Sequence, residues 1–163
     1  MSYQIRPATI SDLPRILPIY QEARQFMRES GNPNQWGSDR PTESTLKEDI
    51  AKGQLFLCTD KEETVCVFAY IPGTDPTYLV IDNGAWLNDA PYGVIHRIAV
   101  ATRGKGVATY CFQWALAQCP NLRIDTHSDN IPMQAALRKN GFAQCGIIYL
   151  SNGDPRIAFH KVI

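Results

Sequence analysis

The sequence predicts a single mixed α/β domain over residues 1–163, and three observations support this class. First, 163 residues is the length of one typical domain, and a 44% hydrophobic content is ordinary for a soluble globular chain. Second, short runs rich in β-branched side chains alternate with segments whose apolar residues recur every three or four positions. Third, no internal repeat, low-complexity tract or linker divides the chain. We therefore expect strands and helices to share one core.

The first third of the chain is predicted to form a short strand and two helices. Residues 4–7 suit a strand that a proline closes. Apolar side chains between residues 13 and 27 recur at steps of three and four, as they do on one face of a helix. A loop rich in glycine, proline and asparagine covers residues 31–41. Residues 42–51 then begin with a pattern typical of a helix cap, and Gly53 is expected to end that helix.

The middle of the chain is predicted to contain two paired strands and then a long loop. Residues 55–59 and 64–71 have strand composition, and the charged segment 60–63 joins them as a turn. Prolines and glycines interrupt residues 72–91, which therefore read as a loop. Within that loop, residues 78–81 could add a short strand.

The second half of the chain opens on its strongest strand pattern, residues 92–100, which a glycine pair separates from a helix over residues 107–118. Residues 122–126 are predicted to be a strand. Residues 131–140 are predicted to be a helix, which Gly141 can end because glycine adopts left-handed backbone angles easily. The last predicted element is a hairpin formed by residues 142–150 and 156–162 around a turn at 151–154.

The charge balance excludes several classes of partner. Sixteen basic and sixteen acidic residues give a formal net charge of zero, so neither a nucleic acid nor an anionic membrane surface would be attracted at long range.

No apolar run has the length of a membrane span or a signal peptide. The five cysteines are scattered and form no metal-binding spacing, so no metal is expected. Such thiols usually behave as small buried apolar groups, which favours the cytoplasm.

The connection between the strand at 92–100 and the helix at 107–118 carries the most specific chemical signal. It contains two glycines, and Arg103 and Lys105 add positive charge beside them. The first amides of a helix lack internal partners and lie at the positive end of its dipole, and glycines let a phosphate approach them closely. The physical interpretation is a pyrophosphate cradle. The alternative is a tight turn with no ligand.

Two blocks of sequence decide between the phosphate-binding families. The first block is the glycine-containing connection after the strand at 92–100. It lacks the third glycine of a Rossmann fingerprint, and it lacks the Gly-Lys-Ser/Thr ending of a Walker loop. It does match the pattern [QR]-x-x-G-x-[GA], as Arg103-Gly104-Lys105-Gly106-Val107-Ala108. The second block is residues 122–130, followed by a helix and Asn140-Gly141-Phe142. Both blocks, at this separation, resemble the GNAT superfamily of acetyl-CoA-dependent N-acyltransferases.

The resemblance implies a twisted mixed β-sheet with helices on both faces and acetyl-CoA as co-substrate. It further implies that the amides of residues 103–108 hold the pyrophosphate. The backbone of Ile98 and Val100 would pair with the pantetheine arm, and Asn130 would lie near the thiol. The candidate cofactor-binding residues are Ile98, Val100, Arg103, Gly104, Lys105, Gly106, Val107, Ala108 and Asn130. Lys139 or Arg138 could reach the adenosine phosphate, or could be ordinary solvated charges.

The function implied is transfer of an acetyl group to a primary amine of a small molecule or peptide, by direct attack in a ternary complex. Many family members place a tyrosine general acid seven residues after the Asn130 position, and this chain has Leu137 there. That departure keeps a second reading open, a CoA- or acyl-CoA-binding module without turnover. Small domains of this type often pair through sheet edges or the C-terminal hairpin, so a homodimer is possible.

Asp125 and His96 are the candidate catalytic residues. The resemblance implies that the thioester lies between two strands, and Asp125 and His96 are on those two strands. Strand alternation predicts that His96 shares a face with Ile98 and Val100. Histidine is the side chain best suited to accept a proton at physiological pH, and an Asp–His couple through water would serve here. Alternatively, Asp125 pairs with a neighbouring arginine, Arg97 or Arg123, and His96 is a hydrogen-bonded core histidine.

The candidate substrate-contacting residues lie mainly in loops. Trp36 and Trp86 stand in polar surroundings, where an aromatic ring can form the wall of a pocket or simply anchor the loop. His127 could line the pocket or cap the next helix, and Tyr149 is a candidate acid in place of the tyrosine that Leu137 replaces. Arg156, with Asp154, could face the acceptor or belong only to a turn.

Overall fold

A computed structural model describes residues 2–163, and one seven-stranded mixed sheet forms its centre. The strands are β1 (Tyr3–Pro7), β2 (Leu55–Asp60), β3 (Glu63–Pro72), β4 (Gly93–Val100), β5 (Asn121–Thr126), β6 (Ala143–Tyr149) and β7 (Pro155–Val162). The helices are α1 (Leu13–Glu29), α2 (Glu43–Ala51), α3 (Val107–Gln118) and α4 (Ile131–Lys139). The strand order is β1-β2-β3-β4-β5-β7-β6, and β4–β5 is the parallel pair. The predicted mixed sheet is confirmed.

Helices cover both faces of the sheet, as the resemblance implied. The periodic face of α1 packs with α2 on one side, where Ile16, Tyr20 and Leu46 are fully buried against β2 and β3. On the other side, α3 and α4 bury their apolar faces, including Phe112 and Leu137, against the central strands. A third cluster lies at the β7 end of the sheet, beneath the loop that precedes β4. The amphipathic spacing of α1 is therefore core packing.

The parallel strands β4 and β5 separate soon after they meet. Their pairing covers Gly93 with Leu122 and Val94 with Arg123, and no further pair is recorded for the described residues. Beyond this point β4 continues on β3, whereas β5 continues on β7. A strand edge without a neighbour leaves backbone groups free to pair with an extended ligand. The edge of β4 after Val94 is such an edge.

A bulge in β4 contradicts the simple alternation that the sequence suggested. Arg97 has a φ of 56°, and the register with β3 shifts by one residue there. His96 consequently pairs with Ala69, while Val100 pairs with Cys66, whose side chain lies on the opposite face of the sheet. The prediction that His96 and Val100 share a face is therefore wrong, because an inserted residue inverts the alternation.

The loop before β4 also differs from expectation. Residues 78–81 do not form a strand; a short 3-10 helix covers Pro76–Tyr78, and Asp82 makes an isolated bridge with Ile147. The physical reason is local: Asp75 accepts a hydrogen bond from the Thr77 N–H, and proline fits the first position of a helical turn.

All five cysteines are free thiols, and four of them are buried, as expected of small apolar groups. Among residues 2–163, no helix is long and apolar enough to cross a membrane.

Candidate active site

Two cavities meet where β4 and β5 separate. The first, called here the glycine-loop groove, has a volume of about 390 Å³ and lies between α1, the end of β4, the start of α3 and α4. The second, called the inner cavity, measures about 350 Å³ and lies between the 31–41 loop, β4, the end of β5 and the hairpin. Four residues line both of them: Met27, Ile98, Asn130 and Met133. A ligand that extends through the groove thus reaches the inner cavity at this junction.

The glycine-loop groove gathers eight of the nine predicted cofactor-binding residues, Lys105 being the exception. Gly104 and Gly106 have φ values of 75° and 70°, so both need the left-handed backbone that glycine adopts without strain. A Cβ atom at either position would meet no atom within 4 Å, so the surrounding space is open. The loop is therefore shaped by backbone geometry and faces a groove.

The two basic side chains of the loop behave differently. The Arg103 guanidinium lies 3.5 Å from the centroid of the Phe26 ring in α1, and both residues line the groove. Such stacking holds the cation in place at the groove wall. Lys105 is exposed, and its carbonyl oxygen accepts a 2.7 Å hydrogen bond from the Tyr3 hydroxyl. Lys139 of α4 also lines the groove, whereas Arg138 hydrogen-bonds to Gln144 outside it.

Asn130 is held firmly at the junction of the two cavities. Its Oδ1 caps α4 by accepting from the Met133 N–H at 3.1 Å, and its Nδ2 donates to Gln35 Oε1 at 2.8 Å. The Gln35 oxygen also accepts from the Asn32 Nδ2 at 2.9 Å. These contacts tie the 31–41 loop to the start of α4. Gln35 was missed by sequence reasoning, because nothing in the sequence links this loop to residue 130.

Asp125 lines the inner cavity and has an unexpected partner. The hydroxyl of Tyr78 donates to Asp125 Oδ2 at 2.6 Å. Tyr78 is only 2% exposed, and burial, together with the Asp125 charge, raises the pKa of its phenol well above the ordinary value. Tyr78 therefore stays protonated and remains a hydrogen-bond donor. The predicted alternative, pairing of Asp125 with Arg97 or Arg123, is not observed.

His96 also lines the inner cavity, and Asp75 orients its ring. His96 Nε2 lies 2.8 Å from Asp75 Oδ2. Burial alone would raise the pKa of Asp75, but hydrogen bonds from His96 and Thr77 outweigh it and lower the pKa to about 2. The carboxylate is thus ionised and accepts the Nε2 proton, which leaves Nδ1 as the nitrogen that can take up a proton. His96 and Asp125 each have another direct partner, so their water-mediated couple stays a prediction.

The bulge in β4 is fixed from both sides. The Arg97 guanidinium makes two 3.0 Å hydrogen bonds to the carboxylate of Asp49 in α2. The Arg97 carbonyl accepts a 2.7 Å hydrogen bond from the buried hydroxyl of Tyr20 in α1. A non-glycine residue with positive φ is held by its surroundings, and here α1 and α2 supply them. This support holds the bulge in the part of β4 that follows its last pair with β5 at Val94.

The remaining predicted substrate residues divide into one that lines the inner cavity and three that do not. Trp36 lines the cavity and packs on Tyr20, with ring centroids 5.7 Å apart. Trp86 instead anchors its loop by donating to the Tyr78 carbonyl oxygen, as the alternative interpretation proposed. His127 accepts the Asp129 N–H in the turn before α4. Tyr149 is 39% exposed on β6 and lines neither cavity.

Leu137, the residue at the position of the family's tyrosine acid, is completely buried among the apolar side chains of the α3–α4 face.

Arg156 does line the inner cavity, as one of its two interpretations suggested. Sequence reasoning missed Asp75 and Tyr78, whose roles depend on contacts between the 72–91 loop and two distant strands. The aspartate-proline pair at 75–76 was the one local signal, since it favours a turn.

Comparison with known proteins places this geometry in a family. No protein-family model and no curated protein matches the chain. An acetyltransferase of the GNAT family from Streptococcus agalactiae superposes with a TM-score of 0.90 at 30% identity, over 99% of this chain and 95% of that one.

Two more distant structures share the fold. The ribosomal-protein-alanine N-acetyltransferase of Brucella melitensis has a TM-score of 0.63 at 19% identity, with 98% of this chain and 99% of that one covered. An Arabidopsis thaliana protein in complex with the bisubstrate analogue CoA-Ac-MVNAL has a TM-score of 0.65 at 15% identity, with both chains covered completely. At 30% identity to the streptococcal protein over nearly the whole of both chains, this chain belongs to the GNAT family of acetyltransferases.

Proposed function

We propose that this protein transfers the acetyl group of acetyl-CoA to the primary amine of a small acceptor by direct attack in a ternary complex. The observation that carries the proposal is the junction of the two cavities at Ile98 and Asn130. Direct transfer requires a donor site and an acceptor site that open onto each other, so that the amine meets the thioester without a covalent enzyme intermediate.

The glycine-loop groove suits coenzyme A as its occupant. The unpaired edge of β4 after Val94 offers backbone groups to the pantetheine amides, and the start of α3 offers free amides to the pyrophosphate. Arg103 adds a positive charge at the groove wall. The related fold from Arabidopsis thaliana was solved with an analogue that contains coenzyme A, which supports the same occupant here.

Asp125 binds the ammonium group of the acceptor, and His96 takes a proton from it. The acceptor arrives as an ammonium ion, which the Asp125 carboxylate attracts. His96 then takes one ammonium proton at Nδ1, and the ionised Asp75 stabilises the imidazolium that forms. The amine nitrogen attacks the thioester carbonyl carbon, a C–N bond forms and the C–S bond breaks. The second proton passes from the nitrogen to solvent, and the departing thiolate takes a proton from solvent, because Leu137 supplies none.

The experiment is a thiol-release assay with acetyl-CoA and a panel of primary amines. We expect release that depends on the amine and falls by about 100-fold or more in Asp125→Asn and in His96→Ala, the size typical of a lost acid–base group. Asp60→Asn is the matched control, because Asp60 ends β2 and lines neither cavity. Equal rates in the wild type, Asp125→Asn and His96→Ala would contradict the assigned roles.

The second candidate function is a CoA-binding module without turnover, and the buried Leu137 favours it. Under that function, CoA raises the melting temperature while no amine in a broad panel releases thiol. If the glycine loop is only a tight turn that binds no ligand, neither effect is expected. The two measurements together therefore separate all three possibilities.

A further inference from the structure

Arg156 is a buried cation that lacks a partner of opposite charge. It is 5% exposed and lines the inner cavity. Its guanidinium makes two hydrogen bonds, from Nη1 to the Pro155 carbonyl oxygen at 2.9 Å and from Nη2 to the Gln35 carbonyl oxygen at 3.3 Å. Among residues 2–163, no carboxylate lies within 4.0 Å of it. A guanidinium has five N–H donors, so most of its capacity for an anion is unused.

This arrangement is unusual energetically. Arginine is almost never buried unless it is paired, because a desolvated charge costs several kcal/mol without an opposite charge. Arg97 of β4, which also lines the cavity, follows this rule through its pair with Asp49. Arg156 does not follow it. A ligand anion would supply the missing partner.

The surroundings of Arg156 reinforce the need for an anion. Burial lowers its pKa, and the charge of Arg40 acts in the same direction, whereas Asp125 and Asp154 oppose both. Arg40 also lines the inner cavity, and within residues 2–163 it has no carboxylate within 4.0 Å. His96 and Arg97 already have carboxylate partners of their own. The cavity therefore holds two arginines without carboxylate partners and one carboxylate, Asp125, turned to the same space.

We propose that the acceptor is a small amine that also carries a carboxylate, with the carboxylate bound by Arg156 and the ammonium by Asp125. The planar fork of a guanidinium matches the two oxygens of a carboxylate. A cavity of about 350 Å³ is at the small end of the roughly 300–1,000 Å³ range of ligand pockets, which suits an amino acid. This inference rests on the proposed acetyl transfer and specifies its substrate class.

The primary test compares matched acceptors on the wild-type protein. With acetyl-CoA saturating, thiol release is measured for the L-amino acids, β-alanine, γ-aminobutyrate and ε-aminocaproate, each beside its carboxamide. We expect kcat/KM for the preferred acid to exceed that of its carboxamide by about 30-fold or more, as when a buried charge loses its partner. No substitution is involved, so the result does not depend on a variant that folds.

Variants assign the effect to Arg156. In Arg156→Gln, we expect the preferred acid to lose about 30-fold in kcat/KM, while its carboxamide changes by less than about threefold. Arg156→Lys keeps the charge without the fork and should lie between. Arg15→Gln is the matched control, because Arg15 is exposed on α1 and lines neither cavity. It should leave both values within about twofold.

Three results would overturn the inference: a carboxamide used as well as its acid, equal losses on both in Arg156→Gln, or preference for an aminoalkyl phosphonate. If no amine releases thiol, the proposed function fails separately. Calorimetry with CoA-saturated protein then decides the inference, which requires the acids to bind more tightly than their carboxamides.

Discussion

At the scale of single residues, the inner cavity is built from charges that are held by partners outside it. Tyr78 holds Asp125, Asp75 holds His96, and Asp49 holds Arg97. Each partner comes from a segment far along the chain from the residue it holds. Side chains that are fixed in this way present a defined geometry to a ligand without reorganisation. Arg156 and the exposed Arg40 are the exceptions, and the proposal on the acceptor rests on Arg156 because its charge is buried.

The Tyr78–Asp125 hydrogen bond gives the residue-scale prediction. Tyr78→Phe should lower the free energy of unfolding by about 2 kcal/mol, because the buried hydroxyl donates to an ionised carboxylate. Tyr110→Phe is the matched control. It removes a 2.9 Å hydrogen bond to the neutral carbonyl oxygen of Tyr3 and should cost about 1 kcal/mol. Urea unfolding of both variants measures the difference, and equal losses would show that the Asp125 contact is not charge-assisted.

At the scale of elements, the divergence of β4 and β5 creates the site. The bulge at Arg97 and the short pairing with β5 leave the β4 edge open beside the glycine loop. Helix α3 starts directly after Gly106, so its free amides face the same groove as that edge. Strand, loop and helix therefore line one groove.

Gly106 gives the element-scale prediction. Gly106→Ala places a side chain at a φ of 70°, which costs about 1–2 kcal/mol, and adds a methyl group to a residue that lines the groove. We expect the variant to lose most of the rise in melting temperature that CoA produces. Gly153→Ala is the matched control, since Gly153 has a φ of 90° in the β6–β7 turn and a Cβ there also meets open space. It should be destabilised similarly but keep the full CoA response; loss of that response in both variants would contradict a local effect at the groove.

At the scale of the whole molecule, buried polar contacts join the sheet to the long loop that precedes β4. His160 of β7 is fully buried and is hydrogen-bonded through Nε2 to the Asn121 side chain on β5. Its Nδ1 accepts the Leu87 N–H from the loop that carries Asp75 and Tyr78. The position of that loop over the site therefore depends on a neutral histidine in the core.

His160 predicts a pH dependence of global stability. Burial, with a smaller contribution from the Arg123 charge, lowers its pKa from 6.5 to about 4. The unfolded chain then binds the proton first as the pH falls. The contribution of neutral His160 to the free energy of unfolding is therefore complete above pH ~6.5. As the pH falls towards ~4, the free energy of unfolding decreases by up to about 3 kcal/mol. Urea unfolding between pH 7 and 5 checks this, using ~0.5-unit steps. His160→Gln should flatten the slope, and an unchanged slope in that variant would assign it elsewhere.

The secondary structure and the position of the glycine-loop groove could largely be predicted from local sequence. Apolar periodicity placed α1 and α3, capping residues and terminal glycines placed α2 and α4, and β-branched runs placed the strands to within a few residues. The glycine pair with its basic neighbours located the groove, because the backbone there requires glycine whatever surrounds it. The fold and family inferred from these segments are confirmed. Signals of this kind lie within a few residues of each other and need no knowledge of how the chain closes.

Only the tertiary structure decided which side chains meet. An inserted residue at Arg97 moved His96 to the opposite face from Val100, and alternation alone cannot reveal an insertion. The partners Asp75 and Tyr78 reach the site from a loop whose path is fixed by long-range packing. The sequence left Arg156 either facing the acceptor or belonging only to a turn, and the burial of its charge beside the inner cavity was visible only in the structure. Burial and partnership are properties of the closed molecule, and for this protein they carry the proposal about the acceptor.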